Sequence, residues 1–404
     1  MSLFDDASLV LTPNGYKASK LYSIKPTSGD GDMVVSRNTT ATRVNSAGVI
    51  ESVAINVPRL DYTGGGCPSI LVEPARTNLV LRSEEFDNAS WTKTNATITA
   101  NVTTAPDNTM TADKLVDDAT LNQHRINQTP TAAIGTYTFS VFLKKAEIDT
   151  AQMRIGLSGA DFNLTTGTTS GANVGITSTI KNYGNGWYRC SITKTTIIAN
   201  DICRINLKDS LNNTYTGNGV DGFYLWGAQL ELGSYDTSYI PTTTASVTRT
   251  ADVISKTGIS SLIGQTEGTL YAEVIIKNTE NQICASIQRD GGINHIFIAQ
   301  LGNKRQFSLM ANSVTIFSYN VGVFLSGTNK VALVYNTNGT ISAFLNGVKV
   351  STLSTSAFAF SNTLDSLQIF DDSYYSSQNT TNNKSTILFK TALTDGQAIS
   401  LTTL

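Results

Sequence analysis

Histidine and cysteine are scarce. The 404 residues include two histidines, His124 and His295, and four cysteines. So few imidazoles leave little scope for acid–base chemistry near neutral pH. Cys67, Cys190, Cys203 and Cys284 show no CxxC or comparable metal-ligand spacing. Cys190 and Cys203 could face each other across neighbouring strands, but buried free thiols suit a chain folded in a reducing cytoplasm. Charge is sparse as well, at 15% Asp, Glu, Lys and Arg with a net −2. That balance gives no electrostatic footprint for nucleic acid or for an anionic membrane. No apolar run approaches the roughly 20 residues that span a bilayer. Met1-Ser2-Leu3-Phe4-Asp5-Asp6 has neither the basic start nor the apolar core of a secretory signal. A soluble protein made in the cytoplasm, with no membrane insertion and no nucleic-acid partner, is expected. There is no G-x-S-x-G elbow, P-loop, H-E-x-x-H or dinucleotide fingerprint. Gly64-Gly65-Gly66 lacks the flanking strand and helix of a phosphate cradle and reads as a loop.

What is plentiful is Thr, Asn, Ser and Gly, a mixture that favours strands joined by polar turns. Tyr137, Phe139, Val141 and Leu143 alternate with Thr138, Ser140, Phe142 and Lys144, so one strand face is buried. Tyr188, Cys190 and Ile192 repeat that pattern, as do Tyr224, Trp226, Ala228, Leu230 and Leu232. Asn346-Gly347 between Ile341–Leu345 and Val348–Val350 supplies the positive-φ pair of a type I′ hairpin. Thr394-Asp395-Gly396-Gln397 matches a capping box and predicts a short helix. Ser83-Glu84-Glu85 predicts another helix start.

Four segments carry a family resemblance: Glu73–Lys93 with Ala105-Pro106-Asp107 and Thr111–Leu115, Gly186–Ser191, Leu225–Glu231, and Tyr239–Thr242. Together they resemble a module of bacteriophage virion proteins that is itself similar to carbohydrate-binding jelly rolls. Phe4–Pro26 resembles the start of phage fibre and appendage proteins. The late hairpin, Leu367–Phe370 and Ile387–Asp395 resemble a concanavalin-A-like (laminin-G-type) sandwich. The expected fold is all-β, with two tandem antiparallel β-sandwiches (jelly rolls) after an irregular N-terminal anchor; too few apolar residues precede position 67 to close a core, so that leader either packs on the following domain or, as favoured here, orders against another virion protein. The expected divisions are 1–66 (anchor), 67–241 (carbohydrate-binding-like jelly roll), 242–253 (connector) and 254–404 (concanavalin-A-like sandwich).

Sugar binding needs flat aromatic faces with amide or carboxylate partners nearby. Asp371, Asp372, Tyr374 and Tyr375, beside Gln378 and Asn379, have that composition, and Tyr183 with Trp187 forms a second candidate. Against both stands ordinary packing of the aromatics at contacts. No cofactor is expected. Asp30, Asp32, Asp371 and Asp372 offer oxygen ligands for a structural calcium, although solvated loop carboxylates are the commoner outcome. Glycoside hydrolases of the concanavalin-A-like fold place a Glu-x-Asp-x-x-Glu run on a strand. Glu85-Phe86-Asp87-Asn88-Ala89-Ser90 starts that run but ends in serine. The resemblance therefore implies a non-enzymatic virion protein: a head or tail fibre, decoration or tail-associated appendage, assembled in the host cytoplasm. Its N-terminus would dock onto capsid, portal or tail proteins, dimeric or trimeric copies would assemble, and host or environmental glycans would be bound. Alternatives are a purely architectural virion protein and a glycan depolymerase.

Overall fold

The computed structural model describes all residues except 1, 198, 210–211, 277–281, 290–292, 302–303, 321 and 370–380. The chain is all-β and forms two compact units that interleave in sequence. A terminal unit combines residues 1–40, 53–74 and 250–404, and a central unit combines 41–52 and 75–249.

The terminal unit is a sandwich of two antiparallel sheets. One sheet orders Val348–Ser354, Thr340–Leu345, Gly327–Asn336, Glu267–Ile276, Thr381–Phe389, Ser69–Val72 and Arg59–Asp61, with Leu9–Leu11 also pairing Thr381–Phe389. The other orders Val314–Asn320, Lys304–Ala311, Asn294–Leu301, Gln282–Arg289, Ser366–Ile369, Val253–Thr257 and Val34–Ser36. Leu9, Leu11, Leu270, Val274, Ile287, Ile298 and Leu333 fill the space between them. The Asn346-Gly347 turn forms as expected, both residues at positive φ. The capping box does too: the Thr394 hydroxyl accepts from the Gln397 amide at the start of helix Asp395–Thr402.

The expected anchor at 1–66 is corrected here. Its apolar residues are too few for a core of their own, and they complete another one. Leu9, Val10 and Leu11 lie opposite Leu388, Ile387 and Thr386, and Val34–Ser36 lies beside Val253–Thr257. Only residues 41–52 leave this unit for the central one. The expected boundaries at 66, 241 and 253 give way to boundaries at 40, 52, 74 and 249. The chain passes from the terminal to the central unit after Pro74. In place of a Thr-rich connector at 242–253, Val247–Arg249 pairs with Arg76–Asn78, and Val253 opens a strand.

A buried ionic cluster ties these distant segments of the terminal unit. Asp252 accepts from Arg37 Nη1 at 2.8 Å, from Arg59 Nη2, and from the backbone amide of Glu73 at 2.9 Å. Arg59 also donates to Glu73 at 2.7 Å. All four side chains are almost fully buried, two cations against two anions. Burial opposes the charge on Arg59, but Asp252 and Glu73 outweigh it and hold the guanidinium ionised.

The central unit is a second sandwich. One sheet orders Ala96–Thr103, Ala112–Asp117, Gly222–Leu232, Gly135–Lys145, Trp187–Ile197 and Ile176–Gly184. The other orders Thr92–Thr94, Arg125–Gln128, Cys203–Lys208, Thr150–Ile155, Ser158–Asn163 and Thr168–Ser170. Tyr137, Phe139, Val141 and Leu143 face the core, as their alternation predicts. Cys190 and Cys203 lie buried in opposite sheets as free thiols. Burial pushes both thiols up, and that of Cys284 up to about 12. Cys67, by contrast, is exposed. One thiol per chain should therefore react with a disulfide reagent in the native protein and four after denaturation. A native count other than one contradicts this placement.

Candidate functional site

The site begins with a β-bulge. Ser140 pairs with Gln229 and Phe142 with Trp226, so Val141 opposes two residues, Gly227 and Ala228. Gly227 takes φ +64°, and a Cβ there would meet the Phe142 ring at 3.0 Å. The extra residue shifts the side-chain period by one. Phe223 and Leu225 before it and Ala228 and Leu230 after it face the core, whereas Tyr224 and Trp226 turn to the opposite face. The sequence pattern placing Tyr224 and Trp226 with Ala228 and Leu230 is thus overturned.

On that outer face Phe142, Trp187, Trp226 and Tyr239 cluster with Val44 and Ile50 of hairpin Ala41–Val44/Ile50–Val53. The Trp226 and Tyr239 rings lie 4.6 Å apart, tilted by 52°. Trp226 Nε1 donates to Thr111 Oγ1 at 3.1 Å, and the Thr42 hydroxyl donates to the Tyr239 carbonyl at 2.6 Å. These anchors leave a cleft of about 540 Å³, floored by Trp226 and Tyr239 and rimmed by Asn45, Glu51, Glu84, Asp107 and Asn108.

Glu84 and Glu51 are shifted in opposite directions. The Tyr239 hydroxyl donates to Glu84 Oε1 at 2.9 Å, yet burial, reinforced by Asp107 and Glu85, raises the Glu84 carboxyl above the ordinary range. For Glu51, partial burial is outweighed by Asn45 and Arg43, which donate at 2.9 and 2.8 Å and hold it ionised. Asp107 accepts from the Thr109 amide and hydroxyl at 3.0 and 2.6 Å. Chemically, the rim offers several acceptors and two amides for a hydroxyl-rich ligand, over a base closed by the buried Trp226 and Tyr239.

Ser83 takes no part in a helix. Its Oγ accepts from the Thr242 amide at 2.8 Å and meets Tyr239 Oη at 2.6 Å, so residues 83–91 run through turns. The capping hydroxyl expected there is spent on positioning Tyr239.

Trp187 is 2% exposed, with Nε1 donating to the Thr104 carbonyl at 3.0 Å and the Lys144 ammonium 5.9 Å from its ring. Trp226 and Tyr239, at 1% and 3%, are enclosed as fully, so none of these rings presents a stacking face and a sugar in the cleft would meet its polar rim. Tyr183 is half-buried, edge-on to Phe142 at 5.0 Å, and neither it nor Trp187 lines the cleft. Asp371, Asp372, Tyr374 and Tyr375 lie outside the described residues, with Gln378 and Asn379. Asp32 accepts from the Ser23 amide at 3.0 Å and Asp30 from Ser28 at 2.8 Å. Among the described residues no cluster of three or more His, Cys, Asp or Glu side chains could hold a metal ion. Glu51, Asp107, Trp226 and Tyr239 carried no local signal as a site; only the fold assembles them.

No protein family and no curated protein matches this sequence. Among solved structures, the CBM40 of the Ruminococcus gnavus IT-sialidase, bound to α2,3-sialyllactose, is similar at 16% identity. That match covers 36% of this chain and 86% of the module, with a TM-score of 0.32. Domain 4 of AbnA, a GH43 extracellular arabinanase from Geobacillus stearothermophilus in complex with arabinotriose, is similar at 12% identity. It covers 42% of this chain and 83% of that domain, with a TM-score of 0.31. The SAP-like pentraxin from Limulus polyphemus is similar at 10% identity, over 33% of this chain and 69% of its own, with a TM-score of 0.27. Likeness at this level assigns neither ligand nor activity.

Proposed function

We propose that this chain is a non-enzymatic structural protein of a bacteriophage particle, in the fibre, decoration or tail-appendage class, that binds host-surface or environmental glycans. The virion part rests on the sequence resemblance across Glu73–Thr242. The glycan part rests on one observation, the cleft rimmed by Glu51, Glu84, Asp107 and two asparagines above Trp226 and Tyr239. Single-site affinity in so open a cleft would be modest, and repeated copies, dimers or trimers, would multiply it through avidity. With residues 1–40 and 53–74 woven into a sandwich, attachment to capsid, portal or tail would use a folded surface. Assembly would take place in the host cytoplasm.

The divided carboxylates favour a second reading. A Glu84 carboxyl shifted up and a Glu51 carboxyl shifted down, on one cleft, diverge in the direction that the acid and base of a glycan depolymerase need. Passing the protein over immobilised bacterial surface polysaccharides separates the readings. Retention without new reducing ends is expected. Release of reducing ends supports the depolymerase, and no retention at high valency leaves an architectural role.

Glu84→Gln should weaken retention about tenfold, because a charged acceptor contributes roughly 1.5–3 kcal/mol to a hydrogen bond. It should not lower stability. A carboxyl whose folded pKa is raised contributes stability at acid pH and loses it as pH rises through that value. The variant's melting temperature, relative to the native chain, should therefore rise with pH. A loss of stability that grows with pH would contradict the assignment.

A further inference from the structure

On the second sheet of the central unit, Ala151, Met153, Ile155, Cys203, Ile205 and Leu207 point into the core. By alternation Gln152, Arg154, Arg204, Asn206, Arg125 and Asn127 point out. Arg154 lies directly opposite Arg204. Asn127 is opposite Arg204 on the other side and Arg125 opposite Asn206, which sets Arg125 diagonal to Arg204. Like charges directly opposite destabilise a sheet, their Cβ atoms being about 5 Å apart. No carboxylate offsets this arrangement: among the described residues none of the three arginines makes an ion pair. Asp161, on the same face, is taken by Lys208 and by Gln152 Nε2 at 2.9 Å. Arg125 donates to Gln123 Oε1 at 2.7 Å and Arg154 to the Leu157 carbonyl. The central Arg204 has a buried Nε with no partner, and burial, then Arg125 and Arg154, pull its guanidinium below the ordinary value.

We propose that this outer face is a binding site for carboxylate-bearing glycans, centred on Arg204 and flanked by Arg154 and Arg125. A guanidinium presents a planar fork that takes a carboxylate bidentately. Asn127 beside Arg204 suits a sugar hydroxyl, while Asn206, 1% exposed, donates to Gln152 Oε1 at 3.0 Å beneath the arginines. Nucleic acid fits less well. Among the described residues the strands of this face carry no outward aromatic platform for bases, and three arginines neutralise few phosphates. The site is separate from the acidic cleft and shares with the proposed function only the expectation that the chain binds glycans.

Titration calorimetry of the full chain with oligogalacturonate tests this. The native protein should bind with an affinity that falls as salt rises, and Arg204→Gln should weaken binding at least tenfold. The variant's melting temperature should hold or rise, because repulsion is relieved. Should Arg204→Gln melt early, Arg154→Gln carries the same comparison. No binding at low salt, or equal binding by the arginine variants, overturns the proposal. Single-stranded DNA or dextran sulfate bound as tightly as oligogalacturonate also overturns it, by showing a general polyanion surface. Oligogalacturonate binding lost in Glu84→Gln but kept in Arg204→Gln overturns this inference and leaves the cleft reading intact. Failure to retain any glycan removes the cleft reading independently.

Discussion

Replacing Asp252 by alanine is expected to destabilise the terminal unit by about 3–5 kcal/mol, the cost of breaking a buried ion pair from one side. Asp252 accepts from Arg37, from Arg59 and from the Glu73 amide, so its loss strands two buried guanidiniums against a single remaining acid. Arg37 keeps carbonyl partners at Thr39 and Val57, at 3.0 and 3.1 Å, but these do not neutralise its charge. The cluster joins residues 37–73 to residue 252, so the damage should concentrate where those segments enter the two sheets. Hydrogen exchange should accelerate in Val34–Ser36, Arg59–Asp61 and Val253–Thr257, strands of the terminal unit. A stability change under 1 kcal/mol would mean the cluster contributes little.

Asp236→Asn should act on the central unit with a similar magnitude, about 3–5 kcal/mol. Asp236 is almost fully buried, 2.8 Å from the half-exposed Lys181 and 3.5 Å from the buried Arg189. Arg189 would retain the Thr237 carbonyl at 2.6 Å, Ser140 Oγ at 3.0 Å and the Phe142 ring, but no full counter-charge. The sign with pH follows from the Asp236 carboxyl. Burial alone would raise it, and Lys181 and Arg189 outweigh burial and hold it below its ordinary value. Its contribution is therefore present above the unfolded pKa of about 4 and lost as pH falls through the lower folded value. Denaturant unfolding of native and variant chains should differ most at neutral pH and converge below pH ~4. A difference that grows on acidification would contradict the assignment.

Local regularities carried much of the fold. The alternation of Tyr137 to Leu143, the Asn346-Gly347 turn and the Thr394 capping box each depend on neighbours a few residues away, and each forms. What local pattern cannot express is pairing across hundreds of residues. Leu9–Leu11 has the same extended character whether it lines an independent leader or lies beside Thr386–Leu388. Only the shortage of apolar residues before position 67 hinted that the leader completes another core. The bulge at Gly227 was hidden for a different reason: its strand reads as unbroken alternation, and the slip shows only against the register of Gly135–Lys145. Alternation puts Trp226 on the face of Ala228 and Leu230; it is buried, but in the cluster on the opposite face. At Ser83 the local capping signal lost to tertiary bonds with Thr242 and Tyr239. The arginine row shows the same gap between sequence and site, since Arg125, Arg154 and Arg204 become neighbours only through strand register.

The most direct measurement is a microarray of bacterial surface glycans probed with the full chain alongside Glu84→Gln and Arg204→Gln. Binding to a defined subset of glycans is predicted, with Glu84→Gln and Arg204→Gln each dimming different spots while both variants remain folded. A blank array, or identical patterns for all three proteins, would contradict recognition by the central sandwich.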